Sequence, residues 1–74
     1  MLPRVFYEDE LATTPVVELN EFESHYLKVL RVKAGDTLEV FGCDCWAVAE
    51  LTAVSDSRAI NAVAKIRESF SYKY

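Results

Sequence analysis

Residues 24–36, SHYLKVLRVKAGD, concentrate positive and titratable side chains in a chain that is acidic overall. His25, Lys28, Arg31 and Lys33 follow one another closely, whereas the formal net charge of the chain is −4 at pH 7. The spacing of three between the first three of them places side chains along one ridge of a helix. Lysine and arginine bind phosphate through charge-assisted hydrogen bonds, and the arginine fork can make two at once. The pattern is therefore compatible with a phosphate-binding surface.

The same residues also allow a purely structural interpretation. Lys28 and Arg31 near the end of a helix stabilise the negative end of its dipole and leave a solvated face. Residue types alone favour this second interpretation. His25 either stacks on an unpaired base or contacts a phosphate, or else bonds a backbone carbonyl, and both alternatives stay open. We expect no catalytic residue, because no nucleophile or orienting carboxylate lies at a defined spacing from His25.

Two cysteines offer a further chemistry. Cys43, Cys45 and His25 are three soft ligands, but zinc takes four and the usual ligand spacings are absent. Cysteines two residues apart also make a poor disulfide. We therefore expect structural thiols and no metal.

Composition limits the class of protein. The 74 residues, of which 51% are hydrophobic and 27% charged, are expected to form a single domain over 1–74. No apolar run approaches the roughly 20 residues of a membrane span, and the start resembles no signal peptide. We expect a cytoplasmic chain with reduced thiols and no membrane partner. The net charge of −4 argues against strong nonspecific binding to nucleic acid.

The helix that carries the cations has clear boundaries. Asn20 is a good N-cap, with Glu23 placed as in a capping box, and the pattern predicts a helix over about 21–31. Short strands are predicted before it, over 4–7 and 15–19. The helix side expected to face the core carries Phe22, Tyr26, Val29 and Leu30.

The second half of the chain reads mostly as strands. Alternation predicts a hairpin of 36–42 with 45–55, in which Leu38 and Val40 share one face. Residues 57–67 are ambiguous, because their alanine content slightly favours a helix whereas Ile60, Ala62, Ala64 and Ile66 would line one face of a strand. Residues 69–74 are expected to fray. The element order predicts an α+β, mainly β fold, in which a largely antiparallel sheet closes around one helix.

Four stretches, PRVFYEDE, HYLKVLRVKAGD, LEVFG and AELTAVS, resemble the amino-terminal domain of the RsmE family, the small-subunit (16S) ribosomal RNA uridine-N3 methyltransferases. The resemblance extends over roughly 3–69 and implies a small PUA-like antiparallel β-barrel with a strand in the ambiguous stretch. One departure is the turn Cys43-Asp44-Cys45-Trp46, where the family has glycines. Because PUA-like domains bind RNA, the resemblance also implies that a set of basic and titratable residues binds RNA, with Arg31 as the first candidate. The set is Arg4, His25, Lys28, Arg31 and Lys33.

The resemblance also implies what this chain lacks. In the family a knotted SPOUT domain binds S-adenosylmethionine and performs the methylation, and no such domain fits within this sequence. We therefore expect no cofactor and no methyltransferase activity of the chain alone, with small-subunit ribosomal RNA and the missing SPOUT domain as its partners. One alternative is a protein-interaction module that docks a partner domain, and a less favoured one is a cysteine-based metal site.

Overall fold

The part of the chain that the structure describes forms one five-stranded sheet with a single helix. The computed structural model describes residues 2–53 and 61–72. The elements are β1 (Arg4–Phe6), β2 (Val16–Glu18), α1 (Glu21–Val29), β3 (Thr37–Phe41), β4 (Cys45–Ala53) and β5 (Val63–Ser71). The strand order is β1-β3-β4-β5-β2, and the sheet curves into a half-barrel. The predicted mainly β class, with one helix, is confirmed.

One strand pairing departs from the antiparallel prediction. The β3–β4, β4–β5 and β2–β5 pairs are antiparallel, as expected, but β1 pairs with β3 in parallel, with Arg4 opposite Glu39. A parallel pair needs a long crossover connection. Here the chain passes through β2 and α1 before it returns to β3, which supplies that connection.

The core lies on the inner face of the curved sheet. Leu38 and Val40 of β3 are fully buried on one face, as the alternation predicted. The inner face of β4 contributes Ala47, Ala49 and Leu51, all fully buried as well. The side chains between them on the same strands face outward and are half-buried or exposed. The sheet therefore has a dry inner face and a wetter outer face.

The face of α1 that packs on this core is not the predicted one. Ser24 and Leu27 are the buried residues of the helix. The apolar side chains expected in the core are instead exposed: Phe22 (84%), Tyr26 (42%), Val29 (63%) and Leu30 (46%). Both sets have helical spacing, but α1 contacts the core through its two buried residues, Leu27 and Ser24. The more hydrophobic stripe of the helix therefore predicted the wrong buried face.

Ser24 ties the helix to two other segments. Its hydroxyl donates to the Leu19 carbonyl at 3.2 Å and accepts from the Ala62 N–H at 2.9 Å. Since Ser24 and Ala62 are both buried, neither group can turn to solvent instead. Ser24 therefore holds α1 at the point where β2 ends and β5 begins.

Replacing Ser24 with alanine is expected to lower the free energy of unfolding by about 1–3 kcal/mol, because the buried Ala62 N–H then has no partner. Urea denaturation followed by circular dichroism measures this difference. The exposed Ser71 offers a matched control, and Ser71→Ala should change stability by less than about 0.5 kcal/mol. Equal effects of the two substitutions would contradict the anchoring role.

The last strand corrects two predictions. Residues 63–71 form β5, so the helix preference drawn from alanine content is wrong there, and the strand implied by the resemblance is confirmed. Ala62 and Ala64 are fully buried, and their small size suits the crowded inner face rather than a helix. Residues 69–71 continue the strand instead of fraying. Ile60 and the proposed helix start at Ser57 lie outside the described residues.

Within the two described ranges, no helix has the length and apolar character needed to cross a lipid bilayer.

Candidate nucleic-acid interface

The amino end of α1 is capped as the sequence predicted. The Asn20 side-chain oxygen accepts a hydrogen bond from the Glu23 N–H at 2.8 Å, which satisfies one of the free donors of the first turn. With Ser24 and Leu27 turned inward, His25 and Lys28 are exposed to solvent. The cap and the buried pair together orient these two side chains outward.

The carboxyl end of α1 places Arg31 in an unusual conformation. Leu30 caps the helix, and Arg31 has φ of 61°, in the left-handed region. The Arg31 N–H donates to the Lys28 carbonyl at 3.0 Å, and the Val32 N–H donates to the Leu27 carbonyl at 3.1 Å. These bonds form a Schellman motif, in which the left-handed position is usually glycine. Arg31 therefore lies in a sharp turn after the end of α1 and does not continue the predicted row of His25 and Lys28 along the helix.

Arginine in the left-handed region carries a cost. A side chain there crowds the following carbonyl by roughly 1–2 kcal/mol relative to the right-handed conformation. Non-glycine residues in such conformations concentrate at functional sites. Arg31 is exposed to solvent in this turn.

A second turn holds Lys33 close to this position. The Lys33 N–H donates to the Asp36 carboxylate at 2.9 Å, and Gly35, with φ of 97°, joins this turn to β4 through a 2.7 Å bond to the Leu51 carbonyl. Lys33 itself is exposed. The helix and the two turns therefore present four exposed side chains on one continuous segment: His25, Lys28, Arg31 and Lys33.

None of these four makes an ion pair among the residues that the structure describes. The ion pairs found there are Arg4–Glu39 at 3.0 Å and Arg67–Glu50 at 2.7 Å, both on the sheet. The positive charge of the helix segment is therefore free to meet an anion, whereas the charge of the sheet arginines is compensated.

Arg4 is separated from the helix cations. It lies on the outer face of β1, where its Nε donates to the Glu39 carboxylate and its guanidinium stands 5.9 Å from the centre of the Phe41 ring. The helix, in contrast, packs through Leu27 on the inner core. Four of the five predicted RNA-binding residues are therefore exposed on one continuous segment, whereas Arg4 lies on β1.

An aromatic stack crosses the outer face of the sheet. The rings of Phe41 and Trp46 are 5.9 Å apart and 15° from parallel, and those of Trp46 and Phe70 are 4.5 Å apart and 25° from parallel. Phe41 and Trp46 are both half-buried. The stack stabilises the outer face of the sheet by contact between the three rings.

The hairpin turn contains a structural residue that the sequence did not reveal. The Asp44 carboxylate accepts hydrogen bonds from the Leu11 and Ala12 N–H groups, each at 3.0 Å. Cys43 is exposed and Cys45 buried, and both are free thiols. Burial raises the pKa of the Cys45 thiol, which suits a structural role. An aspartate in a turn is common, and nothing in the sequence pointed to residues 11 and 12 as its partners.

Stability at low pH should depend on Asp44. The two backbone N–H donors lower the pKa of its carboxyl below the ordinary value. The contribution of Asp44 to stability is therefore present above about pH 4 and is lost as the pH falls through the lowered pKa. Asp44→Asn should melt at a lower temperature than the unaltered chain at pH 7, and the difference in Tm should shrink towards pH 2. A Tm difference that stays constant across this range would contradict the role of the carboxylate.

Acidic residues gather at the opposite end of α1. A depression of about 280 Å³ is lined by Glu8, Asp9 and Glu18, together with the helix cap Asn20. Lys28 lies about 12 Å further along the helix axis than this cap. That separation exceeds the Debye length of about 8 Å at physiological salt, so the carboxylates only weakly affect an anion at the basic end.

Comparison with solved structures supports the architecture. A ribosomal RNA small subunit methyltransferase E from Neisseria gonorrhoeae, bound to S-adenosyl methionine, matches 97% of this chain with 25% identity and a TM-score of 0.78. A predicted RNA methyltransferase from Thermotoga maritima matches 96% with 26% identity and a TM-score of 0.75. This confirms the resemblance to the RsmE family.

The match covers only part of the RsmE-type proteins. The chain spans 30% and 31% of the two solved chains, which is consistent with an amino-terminal domain. A third chain, from Legionella pneumophila, matches 96% with a TM-score of 0.78 but 19% identity, and so supports the fold alone. No protein-family model and no curated protein matches this chain by sequence.

Proposed function

We propose that this chain is the RNA-recognition domain of an RsmE-type, S-adenosylmethionine-dependent ribosomal RNA uridine-N3 methyltransferase. It holds ribosomal RNA of the small subunit, or of the assembling small subunit in the cytoplasm, while a separate SPOUT domain performs the methylation. The observation that carries the proposal is the exposed set of His25, Lys28, Arg31 and Lys33, which has no carboxylate partner among the described residues.

The structure supports specific roles for these residues. Arg31, which is exposed in the turn after α1, supplies a two-pronged donor to a phosphate. Lys28 and Lys33 add point charges on either side of it. Arg4 is a weaker candidate for phosphate binding, because a phosphate would have to compete with Glu39 for its guanidinium.

We assign the cofactor and the methylation chemistry to the SPOUT domain, as the resemblance to the RsmE family implies, since this chain spans only 30% of the solved chain that binds S-adenosyl methionine. The contribution of this domain is binding energy and orientation, and linkage to a second site turns a weak contact into a useful one through effective concentration.

A second candidate function is docking of a partner protein domain. The exposed Val29 and Leu30, near the end of α1, favour it, because large exposed apolar side chains often mark interaction sites. The two candidates differ in their dependence on charge, since phosphate binding weakens steeply with salt and apolar docking does not.

Fluorescence anisotropy with a labelled fragment of small-subunit ribosomal RNA tests the proposal. Lys28→Glu should weaken binding by about tenfold and lower the slope of log affinity against log salt by about 0.7, the value per phosphate contact on single strands. Lys65→Glu is the matched control, because Lys65 is equally an exposed lysine but lies on β5. Equal losses in the two variants would show a nonspecific charge effect and would contradict the assigned surface.

A further inference from the structure

The outer side of α1 carries three rings within little more than one turn. Phe22, His25 and Tyr26, here called the ring face, are all exposed, and Phe22, at 84%, is the most exposed large apolar residue in the described part of the chain. Residues three and four apart on a helix have Cβ atoms about 5–6 Å from each other. The three rings are therefore neighbours on one patch of surface.

Packing of the domain does not explain the ring face. Ser24 and Leu27 make the contact between α1 and the core, and they point to the other side of the helix. An exposed phenylalanine in a small domain costs solubility without adding to the core. Exposed apolar patches of this kind mark surfaces that bind something.

We propose that the ring face stacks on unpaired nucleotides, so that the RNA held by this domain is single-stranded where it crosses α1. The inference rests on the proposed function and narrows it to a class of RNA. Stacking on an aromatic side chain needs a base whose face is free, which a duplex does not offer.

The first turn of α1 is acidic, with Glu21 and Glu23 on either side of Phe22, and the charge that favours RNA over a protein lies at the other end of the ring face. Lys28 and Arg31 follow the ring face directly towards the carboxyl end of α1, and neither is paired with a carboxylate in the described part of the chain. A nucleotide offers both an aromatic face and a phosphate within a few ångströms, which matches rings followed by cations. Grooves that bind single strands combine these two features.

On the sheet, the Phe6 ring is exposed (48%), but Arg4 on the same strand is already paired with Glu39. The Trp46 ring stacks on both Phe41 and Phe70. Glu39 and Glu50 add negative charge to the same face. In the described part of the chain, exposed rings therefore lie next to basic side chains without a carboxylate partner on α1.

Two labelled RNAs of equal length and composition test the inference by anisotropy, one unstructured and one folded as a hairpin with a closed stem. The unaltered chain should bind the unstructured RNA about tenfold more tightly. Phe22→Ser should remove most of that preference by weakening the unstructured complex at least fivefold, with little change for the hairpin. Val16→Ser is the matched control, because Val16 is an exposed apolar residue (51%) on β2 and not on α1, and it should leave both affinities unchanged.

The outcomes separate this inference from the proposed function. If the unaltered chain binds both RNAs equally, or if Phe22→Ser has no selective effect, the ring face does not stack on bases, but RNA binding through the cations stands. If neither RNA binds at low salt, the proposed function fails as well, and the ring face becomes a candidate surface for a protein. Because Phe22 is exposed, Phe22→Ser should retain its circular dichroism spectrum, which excludes misfolding as a cause.

Discussion

Leu27→Ala is expected to lower the free energy of unfolding by about 2–5 kcal/mol, because it empties the buried apolar contact of α1 with the core. A 74-residue domain has a total stability of roughly 4–11 kcal/mol on the usual scale per residue. The substitution therefore removes a large fraction of the stability. Urea denaturation at 25 °C, followed by circular dichroism, measures the loss.

Phe22→Ala is the matched control for this experiment. Phe22 is larger than Leu27 and lies on the same helix, but it is exposed, so its truncation should change stability by less than about 0.5 kcal/mol. If Phe22→Ala proves the more damaging of the two, α1 packs with its hydrophobic stripe inward, and the surface described here is wrong.

Arg31→Gly should move stability and RNA affinity in opposite directions. Glycine adopts φ of 61° without crowding, so the free energy of unfolding should rise by up to about 1 kcal/mol, after allowance for the greater freedom of glycine in the unfolded chain. The loss of the guanidinium should at the same time weaken RNA binding by about tenfold. Thermal unfolding and anisotropy measure the two effects on the same sample.

Arg31→Lys separates charge from geometry at this position. Lysine keeps the positive charge and the strained backbone but loses the fork, so stability should stay unchanged and affinity should fall by less than in Arg31→Gly. A gain in both stability and affinity for Arg31→Gly would mean that Arg31 is an ordinary surface residue at a helix end.

Local signals in the sequence were sufficient for much of the fold. The β3–β4 hairpin follows from alternation, since Leu38 and Val40 face the core as predicted. The start of α1 follows from Asn20, whose side chain makes the expected cap. Both features depend on neighbouring residues, so they can be predicted without knowledge of the tertiary structure.

Features set by tertiary contacts were not predictable in this way. The buried face of α1 is chosen by Ser24, whose partners Leu19 and Ala62 come from distant parts of the chain. Likewise, Ala62 and Ala64 have high helix propensity, but the crowded inner face of the sheet needs small side chains there.

The candidate site likewise combines features that the sequence predicts with features that depend on tertiary contacts. The concentration of positive charge after His25 is visible in the sequence, and four of the five predicted residues lie on one segment. The left-handed turn at Arg31 is not visible, because glycine rather than arginine is the usual signal for it. The separation of Arg4 depends on the parallel pairing of β1 with β3, which a strand pattern alone does not reveal.

An NMR titration of the ¹⁵N-labelled chain with a single-stranded fragment of small-subunit ribosomal RNA tests the central claim most directly. We expect amide shifts to concentrate on α1 and the following turns, at His25, Lys28, Arg31 and Lys33, and to shrink as the salt concentration rises. Amides of the outer sheet face, such as those of Glu50 and Arg67, should remain unchanged. Shifts confined to the sheet, or none at low salt, would contradict the account.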